Sequence, residues 1–198
     1  MFMRHGATDW NAAARYQGNS ETELSDAGRE QVVQNARLVE AFAPGWGDDG
    51  ADWRIVSSPL VRARQSAALL ASELCLMDPE VRTEPAFAEL SMGRWEGLNS
   101  QQVKDEYPAE RKARKRDRWG FKPVGGDSLA ERHAAVRDAV EGLSSHSIIV
   151  AHAGILRIVL HVLGGEPIQR AAAAEIDHTC ILIWDGAKLA SYPHRTMG

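Results

Sequence analysis

The sequence predicts an α/β fold: a three-layer α/β/α sandwich on a mainly parallel sheet with an antiparallel edge strand. Short apolar runs, Trp53 to Val56 and Ser147 to Ala151, each lead into a stretch whose apolar residues recur at helical spacing. Strand and helix signals alternate along most of the chain, the pattern of crossover connections between parallel strands. Asp185-Gly186 then separates Thr179 to Trp184 from Lys188 to Tyr192, a two-residue hairpin signal that places antiparallel strands at one edge.

Taken in order, Met1 to Met3 forms the end of a first strand that delivers Arg4 and His5 to the carboxyl edge of the sheet, where open α/β sheets hold their ligands. Asn11 to Glu23 is polar, contains Gly18 and reads as a surface loop. Ser25 and Asp26 supply an N-cap and a first-turn acid for a helix to about Phe42, with Val32, Ala36, Val39 and Ala43 on its sheet-facing side. Pro44 to Gly50 stops that helix as a mobile loop. Ser58 and Pro59 read as a cap and first-position proline of a helix through Leu74, whose core stripe is Leu60, Ala63, Ala67, Leu70 and Leu74.

Val81 to Thr83 is a further short strand, leading to Phe87, Glu89 and Leu90. A small charged helical insertion follows, around residues 99–124, with Arg111, Lys112, Arg114, Lys115, Arg116 and Arg118 in one run. Such a run is most simply a solvated helix face; the competing reading is a basic lid that gathers anionic substrate. Asp127 or Ser128 caps the next helix, which turns Leu129, Val136, Val140 and Leu143 inward and carries His133 on the same stripe as a packed or half-exposed residue rather than a ligand. Ser147 to Ala151 ends at His152, and Ala153-Gly154 opens a helix through Leu163 that Gly164-Gly165 terminates.

With 198 residues, 44% of them hydrophobic, the whole chain 1–198 is expected to form one domain. A formal net charge of -4 speaks against a nucleic-acid partner, which would call for a basic excess. Cys75 and Cys180 fall in a predicted helix and strand as small buried apolar groups, with no disulfide expected. No secretory leader and no bilayer-length apolar run is visible, so no membrane contact and a cytoplasmic location are expected.

The chemistry centres on R-H-G-A-T, Arg4 to Thr8. A histidine between a fixed cation and a glycine suits phosphoryl transfer, the imidazole attacking phosphorus while the arginine stabilises phosphate oxygens. Alone, the tripeptide is equally a basic turn after a strand. Its company carries more: Asn11, Tyr16-Gln17-Gly18, S-S-P-L-V-R-A-R-Q-S from Ser57 to Ser66, E-L-S-M-G-R-W-E-G from Glu89 to Gly97, G-G-D-S-L from Gly125 to Leu129, and V-A-H-A-G from Val150 to Gly154. In this order and at these distances the motifs resemble the histidine phosphatase superfamily, the fold family of cofactor-dependent phosphoglycerate mutase, over roughly residues 3–160.

The resemblance implies a metal-independent phosphomonoesterase acting on a small phosphorylated metabolite through a phosphohistidine on His5. It implies that Arg4, Arg62 and His152 surround the phosphoryl oxygens, and that Glu89 protonates the leaving oxygen and later accepts a proton from water. Glu96 is the rival acid, to which a structural role falls. Asn11, Gln17, Gly18 and Ala153 make the implied substrate-binding set. No cofactor and no metal are implied, and the histidines show no zinc-site spacing. A homodimer is among the assemblies the resemblance allows. Two other functions stay open: a phosphoglycerate mutase-type phosphotransferase, which in this family carries a longer insertion, and a phosphoryl-binding module without turnover. Ala7 stands where relatives often have glutamate, a change that bears on local packing or substrate preference.

Overall fold

A computed structural model describes residues 1–43, 53–76, 81–143 and 146–192. The loop expected at Pro44 to Gly50 lies outside them. Six strands form one sheet in the order β3-β2-β4-β1-β5-β6: β1 (Phe2–Arg4), β2 (Arg54–Ser57), β3 (Val81–Thr83), β4 (Ser147–Ala151), β5 (Ile181–Trp184) and β6 (Leu189–Tyr192). The first four are mutually parallel where they pair, while β5 runs antiparallel to β1 and to β6. The edge of the sheet is therefore the expected hairpin, but four residues, Asp185 to Lys188, join its strands, which start two residues and one residue later than predicted.

The sandwich follows from the period-two alternation of the strands. Phe2, Val56, Ile149 and Ala151 enter one core cluster, whereas Met3, Ile55, Ile148 and Val150 enter the other. The first is closed by α6 (Leu129–Glu141), α7 (Ala153–Val162) and α8 (Ile168–Ala173), the second by α2 (Asp26–Phe42) and α3 (Val61–Glu73). A strand covered on both faces must be apolar on both. That is why S-I-I-V-A of β4, buried at every position, stood out in the sequence.

Caps explain most helix starts. Ser25 accepts from the Gly28 amide at α2, and Ser128 with Glu131 forms a reciprocal box at α6. The start of α3 differs from expectation. It begins at Val61, not at Pro59, and its first amide is taken by the Glu21 carboxylate, 2.9 Å away, while Ser58 Oγ accepts from the Leu60 amide ahead of it. The expected surface loop at Asn11 to Glu23 also differs: α1 (Asp9–Ala12) is a one-turn helix boxed by Thr8 and Asn11, and Gln17 and Gly18 are buried. Cys75 is exposed just past α3, at φ 52°, because the helix ends at Glu73; Cys180 is half-buried one residue before β5.

The charged insertion folds as α4 (Ser100–Glu106) and α5 (Pro108–Arg116). Trp95 Nε1 donates to Glu110 at 2.8 Å, and Arg94 pairs with the same carboxylate, so α5 is fastened to the turn that follows Glu89. None of the described helices is long and apolar enough to cross a membrane.

Candidate active site

Parallel pairing of β1 with β4 sets Arg4 opposite Ala151, so the next residues, His5 and His152, leave adjacent strands at the same level. Their ring centroids are 5.0 Å apart. Both rings are buried, with 3% and 0% exposure. His5 Nδ1 stands 2.7 Å from the Gly6 carbonyl. A carbonyl only accepts, so this contact assigns the proton to Nδ1 and leaves the lone pair on Nε2. Arg62 Nε donates to that Nε2 at 3.2 Å. Burial first, and then His152, Arg4 and Arg62, push His5 well below the usual histidine range, so the ring is neutral at pH 7.

Arg62 is 1% exposed and is aimed by two loop carbonyls: Nη1 donates to Ser20 at 2.8 Å and Nη2 to Gly18 at 2.7 Å. Arg4 donates from Nη1 to the Ile176 carbonyl at 2.8 Å, and although burial lowers its pKa to about 10, it stays charged. His152 Nε2 shares a 2.7 Å hydrogen bond with Ser58 Oγ, which also accepts from the Leu60 amide at 3.3 Å. Arg4 Nε and His152 Nδ1 are buried without a hydrogen-bond partner among the described residues. Buried polar groups are costly unless paired, and Arg4, which lines the cavity described below, keeps this donor unused.

Glu89 is held by two amides, Leu90 at 3.0 Å and Gly154 at 3.1 Å, the second from the first turn of α7. Gly154 is needed there: a Cβ would stand 2.3 Å from Glu89 Oε1 and 2.4 Å from Leu90 Cδ1. Glu96 instead accepts from Ser20 Oγ at 2.6 Å, from the Met92 amide at 3.0 Å and from the Asn19 amide at 3.2 Å, tying the Gly18 loop to the turn below it. Asn11 spends its Oδ1 on the Thr8 amide at 3.0 Å, leaving its Nδ2 as the donor; Gln17 spends its Oε1 on Thr22 Oγ1 at 2.7 Å.

Arg4, His5, Asn11, Gln17, Gly18, Arg62, Glu89 and Ala153 all line one cavity of about 290 Å³. His152 is not part of that lining, and its ring packs against that of His5. The wall carries six arginines, Arg4, Arg15, Arg62, Arg114, Arg118 and Arg157, against two carboxylates, Glu89 and Asp127. An acidic chain thus presents a strongly positive pocket. Among the described residues no group of three or more His, Cys, Asp or Glu side chains is placed to hold a metal ion.

Sequence reasoning missed several neighbours. Arg157 was signalled by its place as the one arginine in apolar A-G-I-L-R-I-V-L-H-V, and the cavity-lining members of the basic run, half-buried Arg114 and exposed Arg118, were not separable from Lys112, Lys115 and Arg116. His178 carried no signal. Its Nδ1 donates to the His5 carbonyl at 2.6 Å, and its ring lies 5.5 Å from that of His5.

Burial, and then Arg4, push His178 down to about 4. The unfolded ring titrates near about 6.5, so between these values the unfolded chain binds a proton the folded one refuses, and stability falls as the pH drops through that window. His5 and His152 shift in the same direction. His178 alone should cost about 2 kcal/mol of stability between pH 7 and pH 5. Urea unfolding of His178→Gln is expected to show a visibly shallower loss over that interval than wild type; an identical slope would remove His178 from this account.

The sheet, its paired histidines and the pocket above them define an α/β protein with a cationic cavity at the carboxyl edge. Comparison of sequences takes the class further: residues 1–188 match the histidine phosphatase superfamily (branch 1), and the chain belongs to that family. It is 32% identical over 182 residues to glucosyl-3-phosphoglycerate phosphatase of Mycolicibacterium vanbaalenii, covering 85% of this chain and 75% of the relative. With the metal-independent phosphoserine phosphatase of Arabidopsis thaliana it shares 30% identity, over 80% of this chain and 66% of the other. The mycobacterial glucosyl-3-phosphoglycerate phosphatase solved with VO3 superposes at a TM-score of 0.75 with 27% identity, covering 96% of this chain and 94% of its own. The Shigella flexneri alpha-ribazole phosphatase shares the fold, at a TM-score of 0.76 and 24% identity over 95% and 91% of the two chains.

Proposed function

We propose that this chain, a phosphoric monoester hydrolase by family, cleaves a small phosphorylated metabolite by way of a phosphohistidine on His5 and without a metal. The observation that carries this reading is the orientation of His5: its Nδ1 proton is held by Gly6 and its Nε2 lone pair faces Arg62 inside the cationic cavity. The likeness to phosphatases of glucosyl-3-phosphoglycerate and of phosphoserine supports a phosphorylated metabolite as substrate.

In the first step Nε2 forms a bond to phosphorus while the bond from phosphorus to the ester oxygen breaks. Charge on the transferring group is met by the Arg4 and Arg62 guanidinium groups, with Asn11 Nδ2 and the side chain of His152 completing the surround. Glu89 gives the departing oxygen its proton. In the second step Glu89 takes a proton from water as it attacks, phosphate leaves, and the neutral histidine returns. The positive charge that a metal would bring to such a transfer is supplied by side chains already fixed to backbone carbonyls.

The test is release of inorganic phosphate from a panel of phosphorylated metabolites with a chelator present. Turnover unaffected by the chelator is expected; activity lost to it and restored by a divalent ion would overturn the mechanism, and faster interconversion of phosphoglycerates than phosphate release would make the chain a mutase. Binding without turnover would favour the non-catalytic module. Glu89→Gln refines the assignment. In single-turnover phosphoenzyme formation it should slow an alkyl phosphate by about 10²-fold and leave 4-nitrophenyl phosphate nearly unchanged, because a nitrophenolate leaves without a proton. Equal slowing of both would take the acid role from Glu89.

A further inference from the structure

His5 is oriented by backbone, and that backbone is itself held by side chains from three other parts of the chain. The Gly6 carbonyl keeps the His5 proton on Nδ1, so the direction of that carbonyl decides which ring nitrogen carries the lone pair. Two peptide units set the direction. The first joins His5 to Gly6: its carbonyl oxygen accepts from His178 Nδ1 at 2.6 Å and its amide donates to Ser66 Oγ at 3.0 Å, so both edges of the plane are engaged. The second joins Gly6 to Ala7, and its amide donates to Gln31 Oε1 at 2.8 Å. A side chain at Gly6 would run into the Gly28 carbonyl of α2, which closes off the remaining side.

The two side chains on the first peptide are fixed in turn. Ser66, fully buried in α3, donates to the Arg62 carbonyl at 2.7 Å, so the helix that presents Arg62 to the site also grips Gly6. His178 stands three residues before β5. Asn35 Nδ2, from α2, donates to its carbonyl at 2.7 Å, and its ring lies edge-on to that of His5, 5.5 Å between centres. Two residues back, the Ile176 carbonyl takes the Arg4 guanidinium, so one short segment holds both Arg4 and His5. Ser66 and His178 are not part of the cavity lining, and their influence on a substrate runs through the residues they hold. Satisfying buried backbone groups is a matter of stability; what these two contacts add for the chemistry is direction.

We propose that His178 and Ser66 are positioning residues for the nucleophile: they fix the His5–Gly6 peptide from both edges and so keep the proton of His5 on Nδ1 and its lone pair on Nε2. This rests on the nucleophile role given to His5 above. A ring free to exchange tautomers, or to swing by about 1 Å, spends less time aligned for in-line attack, which costs rate and not binding.

The test separates rate from affinity. His178→Phe keeps a ring against His5 and removes the donor, His178→Asn keeps a donor at the place of Nδ1 and removes the ring, and Ser66→Ala removes the contact on the other edge. In single turnovers of 4-nitrophenyl phosphate, His178→Phe and Ser66→Ala should lower the maximal rate by about 10- to 100-fold and move the half-saturating concentration less than about threefold. His178→Asn should recover most of that loss. Long-range proton–nitrogen NMR correlations from the histidine rings, with the His5 signals identified by their absence from His5→Ala, should show a single tautomer protonated at Nδ1 in wild type. The two slowed variants should show a mixture. Unchanged rate and tautomer in both, a loss confined to half-saturation, or equal slowing by His178→Asn and His178→Phe would overturn the proposal. Should circular dichroism show His178→Phe unfolded, Ser66→Ala carries the same comparison. A wild type that releases no phosphate would defeat the phosphatase reading alone, since the spectra need no turnover: a tautomer lost in the variants still supports the clamp, and one that survives them overturns it.

Discussion

His5→Ala is expected to lower phosphate release by about 10⁴-fold or more on every substrate, because the lost group is the one that forms the new bond. Nothing beside it can take over. His152, the ring 5.0 Å away, is tied to Ser58 through Nε2, and His178 spends Nδ1 on the His5 carbonyl. Steady-state phosphate release measures the loss, and circular dichroism of the same sample shows that the fold survives it. A fall of less than about tenfold would mean that water attacks phosphorus directly and that His5 only binds.

The second large effect is that of Arg62→Ala, expected to cost about 10²-fold or more in kcat/KM for alkyl and aryl phosphates alike. Arg62 holds the transferring group, not the leaving oxygen, so its loss is blind to leaving-group quality and separates phosphate clamping from the proton donation of Glu89. It also has a structural price. The Gly18 and Ser20 carbonyls lose their guanidinium donors, and the chain should lose about 1–3 kcal/mol of stability in urea titrations. Arg62→Lys should recover stability poorly, since one ammonium cannot reach His5, Gly18 and Ser20 together in the geometry of a planar fork. Activity loss confined to alkyl phosphates would instead place Arg62 on the leaving group.

The sequence carried the architecture where a residue pattern has one physical meaning. S-I-I-V-A reads as a strand covered on both faces, the stripe Ala63, Ala67, Leu70 as a helix face, and Asp-Gly between two short strand signals as a hairpin. The site residues were legible for a different reason, the order and spacing of several motifs along the chain, which parallel pairing of β1 with β4 then turns into proximity.

What escaped is what only tertiary neighbours decide. Serine before proline serves as a cap or as a side-chain partner, and Ser58 is drawn to His152 because that ring ends the adjoining strand. The start of α3 is left to Glu21, a carboxylate some forty residues earlier in the chain. A run of six basic residues gives no sign of which two line the cavity; that is settled by the anchors at Glu110 and Trp119. His178 reaches His5 because β5 pairs with β1, a long-range pairing that local pattern does not encode.

The most direct test of a phosphohistidine on His5 is to mix wild type with a radiolabelled aryl phosphate, quench it in alkaline detergent within the first turnover, and follow label on the protein. The account predicts a phosphoryl group bound to the chain, stable in alkali, released in acid, mapping to the peptide that contains His5 and absent from His5→Ala. Phosphate released in that first turnover from a wild-type chain that never carries label would contradict it.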